Sequence, residues 1–241
     1  MRTTKKSPRT AASTRSRARD PSRLSLRATP SGWRIVGERS AKRRIAVLFD
    51  LDGVLINSYR AWFALVNDAR RAFGRPPIDL AAFDAGGGQG VDADVDRYFR
   101  GLTVERVGGY FDAHFMDHVG EVRVMPGARE LLARLRERGL PTAIVTNTPR
   151  AIAADVLSFK GLFELVDELV GADEVEHAKP APDLVVEACR RLDVEPGRSV
   201  LVGDSTFDRD AARRAGVLFI GYGGIEGDAT LARLADLADR I

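Results

Sequence analysis

The sequence has one cysteine, Cys189, and no long apolar run. A single cysteine excludes an intrachain disulfide, and a reducing compartment fits this without being required by it. A membrane-spanning helix needs about 20 consecutive apolar residues, and no segment approaches that length. A secretory signal is not expected either, because no apolar stretch of about 7–15 residues follows the basic residues at the start of the chain. We therefore expect a soluble, cytoplasmic protein.

Acidic residues are scarce in the N-terminal segment. Residues 1–44 hold 14 of the 37 Lys and Arg but only two of the 34 Asp and Glu, Asp20 and Glu38. This segment therefore carries a charge of +12 and the remainder −9, although the formal net charge of all 241 residues is only +3. The basic character belongs to the N-terminal segment alone. With 44% hydrophobic residues, the chain is long enough to bury a substantial core.

Residues 1–40 are poor in large apolar side chains and rich in Arg, Ser, Thr, Ala and Pro, so we expect a disordered basic tail. Four roles fit such a tail: an organellar transit peptide, which would place the protein in an organelle; a segment that binds nucleic acid or another acidic surface; an upstream extension from a misassigned start codon; and a solvated tail without a defined role. The sequence does not decide among them.

After the tail, short apolar segments alternate with longer amphipathic ones. This alternation predicts a doubly wound parallel sheet with helices on its faces, an α/β fold. Between residues 57 and 124 the apolar spacing is helical and no strand is evident, so we expect a small α-helical insertion there. The predicted organisation is an α/β core over residues 41–56 and 125–241 with a helical cap at 57–124. The last predicted element is a helix over 229–241.

Two carboxylates directly follow the first predicted strand. Residues 45–49 are apolar at every position, which is typical of a strand covered on both faces, a buried helical turn being the alternative. Ligands bind beyond the carboxyl ends of parallel strands, so Asp50 and Asp52 would project there on the same side. Two like charges so close need a cation, or a proton held on one of them. The pattern suits chemistry on an anionic substrate; the alternative is an ordinary turn at Gly53.

Two further polar clusters lie where strands end or helices begin. Thr146 and Asn147 follow an apolar segment, where a hydroxyl and amide donors can hold phosphate oxygens, although a helix cap is the alternative. Lys179 stands in the sequence Ala-Lys-Pro-Ala-Pro. Its ammonium could neutralise crowded carboxylates and a phosphate, although most lysines face solvent.

A second acidic pair opens a later helix. Asp204 and Asp208 follow the apolar segment 200–202. A few carboxylates, waters and a substrate phosphate are ligands that suit Mg²⁺. The alternative is an ordinary helix N-terminus, capped by an acid or Ser205 and favoured by the helix dipole.

Together, in this order and spacing, the four clusters resemble the haloacid dehalogenase-like hydrolase superfamily. Its motifs match here as Asp50-Leu51-Asp52-Gly53, Thr146, Lys179, and Gly203-Asp204-Ser205 with Asp208. The resemblance covers about residues 45–241. The helical insertion is similar to the cap of the branch that contains phosphoglycolate phosphatase-like and β-phosphoglucomutase-like members.

The resemblance implies roles in phosphoryl transfer. Asp50 would be the nucleophile that forms an aspartyl-phosphate, and Asp52 the general acid and base. Thr146 would bind the transferring phosphoryl group, and Lys179 would hold that group together with Asp50.

The resemblance also implies a metal site. Mg²⁺ would be bound by Asp50, Asp204 and the backbone carbonyl of Asp52, with Asp208 supporting the metal shell. The metal, Lys179 and backbone donors would stabilise the charge that develops on the phosphoryl oxygens.

Two features favour a phosphatase over the dehalogenases and mutases of this superfamily: Asp52 and the cap loop. Dehalogenases of this superfamily lack an aspartate two residues after the nucleophile, so Asp52 disfavours carbon–halogen cleavage. Mutases of the branch carry basic residues in a cap loop that here reads Gly-Gly-Gly-Gln-Gly over residues 86–90. Gln89 is the candidate substrate contact in this loop, a flexible hinge being the alternative.

The expected function is therefore a Mg²⁺-dependent phosphatase that acts on a small phosphorylated metabolite, with phosphoglycolate as the first candidate. A phosphomutase or pyrophosphatase is the alternative enzyme. A non-catalytic binding protein is disfavoured, because four clustered acids without a function would cost stability. We expect a monomer or homodimer, with nucleic-acid binding only through the tail.

Overall fold

The computed structural model describes residues 23–30, 32–37, 44–84 and 90–241. The strands are β1 (Ser25–Thr29), β2 (Gly32–Val36), β3 (Ala46–Phe49), β4 (Ile56–Asn57), β5 (Arg123–Val124), β6 (Thr142–Val145), β7 (Glu168–Val170), β8 (Ser199–Gly203), β9 (Leu218–Tyr222) and β10 (Ala229–Leu231). The α-helices are α1 (Tyr59–Ala72), α2 (Leu80–Asp84), α3 (Val91–Tyr98), α4 (Val104–His114), α5 (Ala128–Glu137), α6 (Arg150–Phe159), α7 (Asp183–Arg191) and α8 (Thr206–Ala215). Within these ranges no helix combines the length and apolar character needed to cross a bilayer.

Six strands form a parallel sheet in the order β10-β9-β8-β3-β6-β7. The strand β3 lies between β8 and β6, and its last residue, Phe49, is in register with Val202 and Ile144. The chain builds the sheet from β3 toward β7 and then returns to build from β8 toward β10, so the direction of winding reverses between β3 and β8. The expected doubly wound parallel sheet is confirmed.

Helices cover both faces of this sheet. Val47 and Phe49 belong to one buried cluster that includes α5 and α6, whereas Leu48 belongs to a second cluster with α7 and α8. Successive side chains of a strand point to opposite faces, so a strand covered on both sides must be apolar throughout. Cys189 is a free thiol buried in the second cluster.

Helices α1 to α4 and the 3₁₀ helix Phe115–Glu121 pack around aromatic side chains. The ring of Trp62 lies edge-on to Phe111 and Phe115, with ring centroids 5.8 and 4.7 Å apart. The chain enters and leaves this helical unit through the antiparallel pair of β4 and β5. The helix α4 ends at His114, and the chain continues directly as the 3₁₀ helix.

The N-terminal segment contains a β-hairpin, formed by antiparallel pairing of β1 with β2. The expectation of disorder over residues 1–40 is therefore wrong for the described part of that range. Leu24 and Ile35 are buried, and the indole Nε1 of Trp33 donates to the Thr230 carbonyl over 3.0 Å. These few apolar residues stabilise the hairpin because they pack against the core. The average composition of forty residues does not reveal them. The remainder of the predicted tail lies outside the described residues.

The C-terminal segment is not the helix that the sequence predicts. Residues Ala229–Leu231 form β10, which extends the sheet alongside β9, and a 3₁₀ helix covers Leu234–Asp239. Ala229 and Leu231 are buried with an exposed residue between them, which is the alternation of an edge strand. The 3₁₀ helix then packs against α5. The spacing of Leu231, Leu234 and Leu237 fits a helix, but pairing with β9 makes the first of these residues part of a strand.

Candidate active site

The polar clusters of the sequence meet beyond the carboxyl ends of three neighbouring strands. Asp50 follows β3, Thr146 follows β6 and Asp204 follows β8, and all three line a cavity of about 390 Å³. This is the reversal point of the winding, where open α/β sheets bind ligands. The helical unit contributes other lining residues: Tyr59, Trp62, Phe83, Val91 and Asp94.

At the buried end of the site, Lys179 joins two carboxylates. Its Nζ donates to Asp50 Oδ1 over 2.6 Å, to Asp208 Oδ1 over 2.7 Å and to the Val145 carbonyl over 2.9 Å. All three ammonium donors are thus used, and the three charged side chains are buried. Burial alone would lower the pKa of Lys179, but the carboxylates of Asp208 and Asp50 outweigh burial and raise it. Lys179 is therefore fixed as a cation.

Asp50 lies in a crowd of acids. Its backbone N–H donates to the Val202 carbonyl over 2.9 Å, which continues the strand pairing one residue beyond β3. Burial, followed by repulsion from Asp208, raises the pKa of Asp50, and Lys179 opposes this rise. One carboxylate oxygen is held by Lys179, which leaves the other for a ligand.

Two hydroxyls orient Asp52. The hydroxyl of Thr148 donates to Asp52 Oδ2 over 2.9 Å, and the hydroxyl of Ser58 donates to Oδ1. Burial raises the pKa of Asp52, and these two hydrogen bonds partly offset the rise because they favour the ionised form. Asp52 is therefore a fixed carboxyl group, held separately from the Lys179 cluster, that can exist with or without a proton.

Asp204 packs against the backbone of Gly53. Gly53 has φ of +88°, and a Cβ at this position would collide with the Asp204 carboxylate. Only glycine combines the left-handed backbone with this close approach. Burial, followed by repulsion from Asp208, raises the pKa of Asp204 to about 6. The turn after β3 thus determines where the carboxylate after β8 can lie.

Three carboxylates could hold a metal ion. Asp50, Asp204 and Asp208 each place an oxygen within 4.8 Å of the other two. Oxygen donors of this kind fit a hard divalent cation. The pKa values of Asp50 and Asp204 are raised first by burial and then by repulsion from Asp208, and such a cation would relieve that repulsion. Asp208 is already bound by Lys179 and by the Ser205 backbone N–H, over 3.2 Å, so it supports the cluster from behind.

Thr146 and Asn147 stand on the third side of the site. Thr146 is buried, and its hydroxyl accepts a hydrogen bond from the Thr148 N–H over 3.0 Å. The side chain of Asn147 pairs with both backbone groups of Lys179, at 3.0 Å to the carbonyl and 2.9 Å from the N–H. The Asn147 amide thus positions Lys179, a role that its sequence motif does not signal. Phosphate binding by these two residues stays a prediction.

Sequence patterns did not reveal how three side chains of the cavity are placed: Ser58, Asp94 and Thr148. Thr148 and Ser58 hold Asp52, although one is 96 residues away from it along the chain. Asp94, on α3, faces the cavity, whereas its neighbours Asp92 and Asp96 are exposed. Nothing in the alternating acids of this helix indicates which of them faces inward. Gln89, the predicted substrate contact, lies outside the described residues.

The fold and the site together define a hydrolase built on carboxylates at the edge of a parallel sheet. A model of haloacid dehalogenase-like hydrolases matches residues 46–216. The chain therefore belongs to the haloacid dehalogenase-like hydrolase family, in the phosphoglycolate phosphatase-like branch, and it is a phosphatase. The hairpin of β1 and β2 lies before the matched residues.

Curated relatives and solved structures agree with this placement. A phosphoglycolate phosphatase of Cupriavidus necator is 36% identical over 197 residues, which cover 77% of this chain and 85% of the relative. The validoxylamine A 7'-phosphate phosphatase of Streptomyces hygroscopicus is 34% identical over 181 residues, covering 72% and 83%. The crystal structure of CbbY from Rhodobacter sphaeroides in complex with phosphate has a TM-score of 0.73 at 25% identity, over 80% of this chain and 96% of that one.

Proposed function

We propose that the protein hydrolyses a small phosphomonoester with Mg²⁺, through an aspartyl-phosphate on Asp50. The observation that carries the proposal is the contact of Lys179 Nζ with Asp50 Oδ1, at 2.6 Å, in the same cavity as the separately held carboxyl of Asp52. One carboxylate is thereby fixed beside a cation for attack on phosphorus. The other is placed to exchange a proton.

In the first step, the free oxygen of Asp50 forms a bond to phosphorus and the bond from phosphorus to the leaving oxygen breaks. Asp52 gives its proton to that leaving oxygen, so the product departs as an alcohol. The raised pKa of Asp52 supports this role, because it increases the protonated fraction near neutral pH.

In the second step, Asp52, now ionised, takes a proton from a water molecule that attacks phosphorus. The bond from phosphorus to Asp50 breaks, phosphate leaves, and both carboxyl groups return to their starting states. The hydrogen bonds from Thr148 and Ser58 keep Asp52 in one orientation for both proton transfers.

Lys179 and the predicted metal would stabilise the negative charge on the phosphoryl oxygens. Asp50 and Asp204, with the backbone carbonyl of Asp52, are the proposed Mg²⁺ ligands, and Asp208 holds Lys179 behind them. When bound, Mg²⁺ supplies positive charge to the phosphoryl oxygens. Thr146 and Asn147 are the proposed phosphate contacts on the β6 side.

Two substrate candidates follow from different observations. Phosphoglycolate is supported by similarity to the phosphoglycolate phosphatases of Cupriavidus necator, Rhodobacter capsulatus and Chromobacterium violaceum. An ester of an uncharged hydroxylated alcohol is supported by Asp94 in the cavity wall. A phosphomutase or pyrophosphatase is less well supported, because residues 86–90 contain no basic side chain that could hold a second phosphate.

The experiment is phosphate release from a panel of phosphomonoesters with and without Mg²⁺, using the wild type, Asp50→Asn and the control Asp155→Asn. Asp155 is an exposed acid on α6, away from the cavity. We expect Mg²⁺-dependent turnover that Asp50→Asn abolishes and Asp155→Asn preserves. Folded wild type that releases no phosphate from any panel member in the presence of Mg²⁺ would overturn the proposal.

Other expectations from the sequence stay predictions: the cytoplasmic location, the monomeric or homodimeric state, and the role of the basic residues before the hairpin.

A further inference from the structure

One carboxylate in the cavity has no assigned role. Asp94, on α3, is half-buried and lines the cavity that also contains Asp50 and Asp52. Within the described ranges its side chain has no hydrogen bond or ion pair. A carboxylate that is partly removed from water and left without a partner costs stability, so its position in the wall of a binding cavity points to a ligand group.

The cavity has little positive charge to offer a second anion. Its described lining residues include four acids but only one cation, Lys179, whose three donors are already used. The phosphoryl group would be met by Lys179 and the predicted metal. A carboxylate on the leaving group would meet the charge of Asp94, and none of the described lining residues offers a free cation to offset the repulsion.

The remaining wall suits a neutral organic group. Tyr59, Trp62 and Phe83 line the cavity beside Asp94 and present aromatic surface to a carbon skeleton. The Asp94 carboxylate then offers acceptors to a hydroxyl group on that skeleton. Apolar walls with a few placed polar groups are the usual construction of sites for small hydroxylated ligands.

We infer that Asp94 selects the leaving group, so that the enzyme prefers phosphate esters of uncharged, hydroxylated alcohols to esters of hydroxy acids. The inference rests on the proposed function and decides between its two substrate candidates. Asp94 would contact the leaving group and takes no part in the bond-making steps at phosphorus.

The environment of Asp94 is consistent with this role. Burial raises its pKa to about 7, and the nearby guanidinium of Arg97 offsets burial only in part. A hydrogen-bond donor would therefore stabilise the ionised side chain, and a substrate hydroxyl would supply one.

The test compares two esters that differ in one group, 2-phosphoglycolate and 2-hydroxyethyl phosphate. The ratio of their kcat/KM values is measured at pH 8 with Mg²⁺ for the wild type, Asp94→Asn and Asp94→Glu. Asp92→Asn is the matched control, because Asp92 is an exposed acid on the same helix. We expect the wild type to prefer 2-hydroxyethyl phosphate. Asp94→Asn should shift the ratio toward 2-phosphoglycolate by about tenfold or more, since it removes one repulsive charge.

Asp94→Glu, which keeps the charge, and Asp92→Asn should both keep the wild-type order of preference. If both esters are hydrolysed with Mg²⁺ but Asp94→Asn moves the ratio no further than Asp92→Asn, the inference is wrong and the phosphatase proposal stands. A wild type that prefers 2-phosphoglycolate would overturn the inference in the same way. Turnover that persists in Asp50→Asn would instead overturn the proposed function and, with it, the basis of the inference.

Discussion

Lys179 Nζ and Asp208 Oδ1 lie 2.7 Å apart in the interior of the protein, and the Asp208 side chain has no exposed surface. The same ammonium bonds to Asp50 at 2.6 Å. Asp208 thus positions Lys179, and Lys179 in turn positions Asp50, the proposed nucleophile. Lys179 lies in the segment before α7, and its ammonium links that segment to the N-terminal end of α8 through Asp208 and to the end of β3 through Asp50. The stability of the core and the geometry of the site therefore depend on the same contacts.

Removing the cation should therefore destabilise the protein. Lys179→Met leaves Asp50 and Asp208 buried without their shared partner, and breaking a buried ion pair in this way costs about 3–5 kcal/mol. We expect the free energy of unfolding in urea, measured without Mg²⁺, to fall by that amount. Lys160→Met is the control, because Lys160 is partly exposed and remote from the cavity. Equal stability of the two variants would contradict the assignment of Lys179 as the stabilising cation.

Substitutions at Gly53 and Gly74 distinguish the effect of backbone strain from the effect of a steric collision. Both have positive φ, +88° and +67°, but a Cβ on Gly53 would collide with Asp204 whereas one on Gly74 would meet no atom within 4 Å. We expect Gly53→Ala to displace Asp204 and lower Mg²⁺-dependent kcat/KM by about a hundredfold. Gly74→Ala should cost about 1 kcal/mol of stability and leave activity intact. The measurements are steady-state kinetics and thermal unfolding of both variants; similar activity in the two would show that Gly53 does not position Asp204.

The substrate preference should depend on pH. Because the pKa of Asp94 is raised to about 7, this side chain is mostly neutral below that pH and mostly charged above it. The wild-type ratio of kcat/KM for 2-phosphoglycolate to that for 2-hydroxyethyl phosphate should therefore fall as pH rises from 6 to 8. In this ratio, the effects of groups whose ionisation changes both kcat/KM values equally cancel.

The charged or titratable groups to consider around Asp94 are Arg97 and Tyr98 on its own helix, and Asp50, Asp52, Asp204 and Lys179 across the cavity. Asp94→Asn is the control that removes Asp94 and keeps the others. Its ratio should be flat over the same pH range. A slope in Asp94→Asn equal to that of the wild type would assign the effect to one of the other groups.

The hairpin should contribute to stability and not to catalysis. Trp33 donates to the Thr230 carbonyl, and the guanidinium of Arg240 lies 4.7 Å from the centre of its ring. Because Trp33 is only partly buried, we expect Trp33→Ala to lower the free energy of unfolding by about 2 kcal/mol. Arg27→Ala, on the exposed side of the same hairpin, should have little effect. Neither residue lines the cavity, so a changed kcat in Trp33→Ala would contradict this division of roles.

The sequence was informative wherever a local signal coincided with the fold. The apolar run before Asp50 indicated a strand covered on both faces, and Gly53, three residues after Asp50, marked the turn that its backbone requires. The hairpin and β10 were missed for the opposite reason. The hairpin is stabilised by hydrogen bonds to Gly197 and Arg240, which are distant along the chain, and β10 is stabilised by pairing with β9 in the sheet. Neither composition nor spacing revealed these contacts.

The sequence by itself determined the parallel sheet, the order of the four motifs and the acids available to the site, because short-range patterns such as strand ends, glycines and helix openings encode them. Only the tertiary structure decided which groups meet. It placed the Asn147 amide on the Lys179 backbone and the Thr148 hydroxyl on Asp52, and it turned Asp94 inward. Successive helical residues point about 100° apart, so the direction of a single acid depends on how the whole helix packs, which no local pattern fixes.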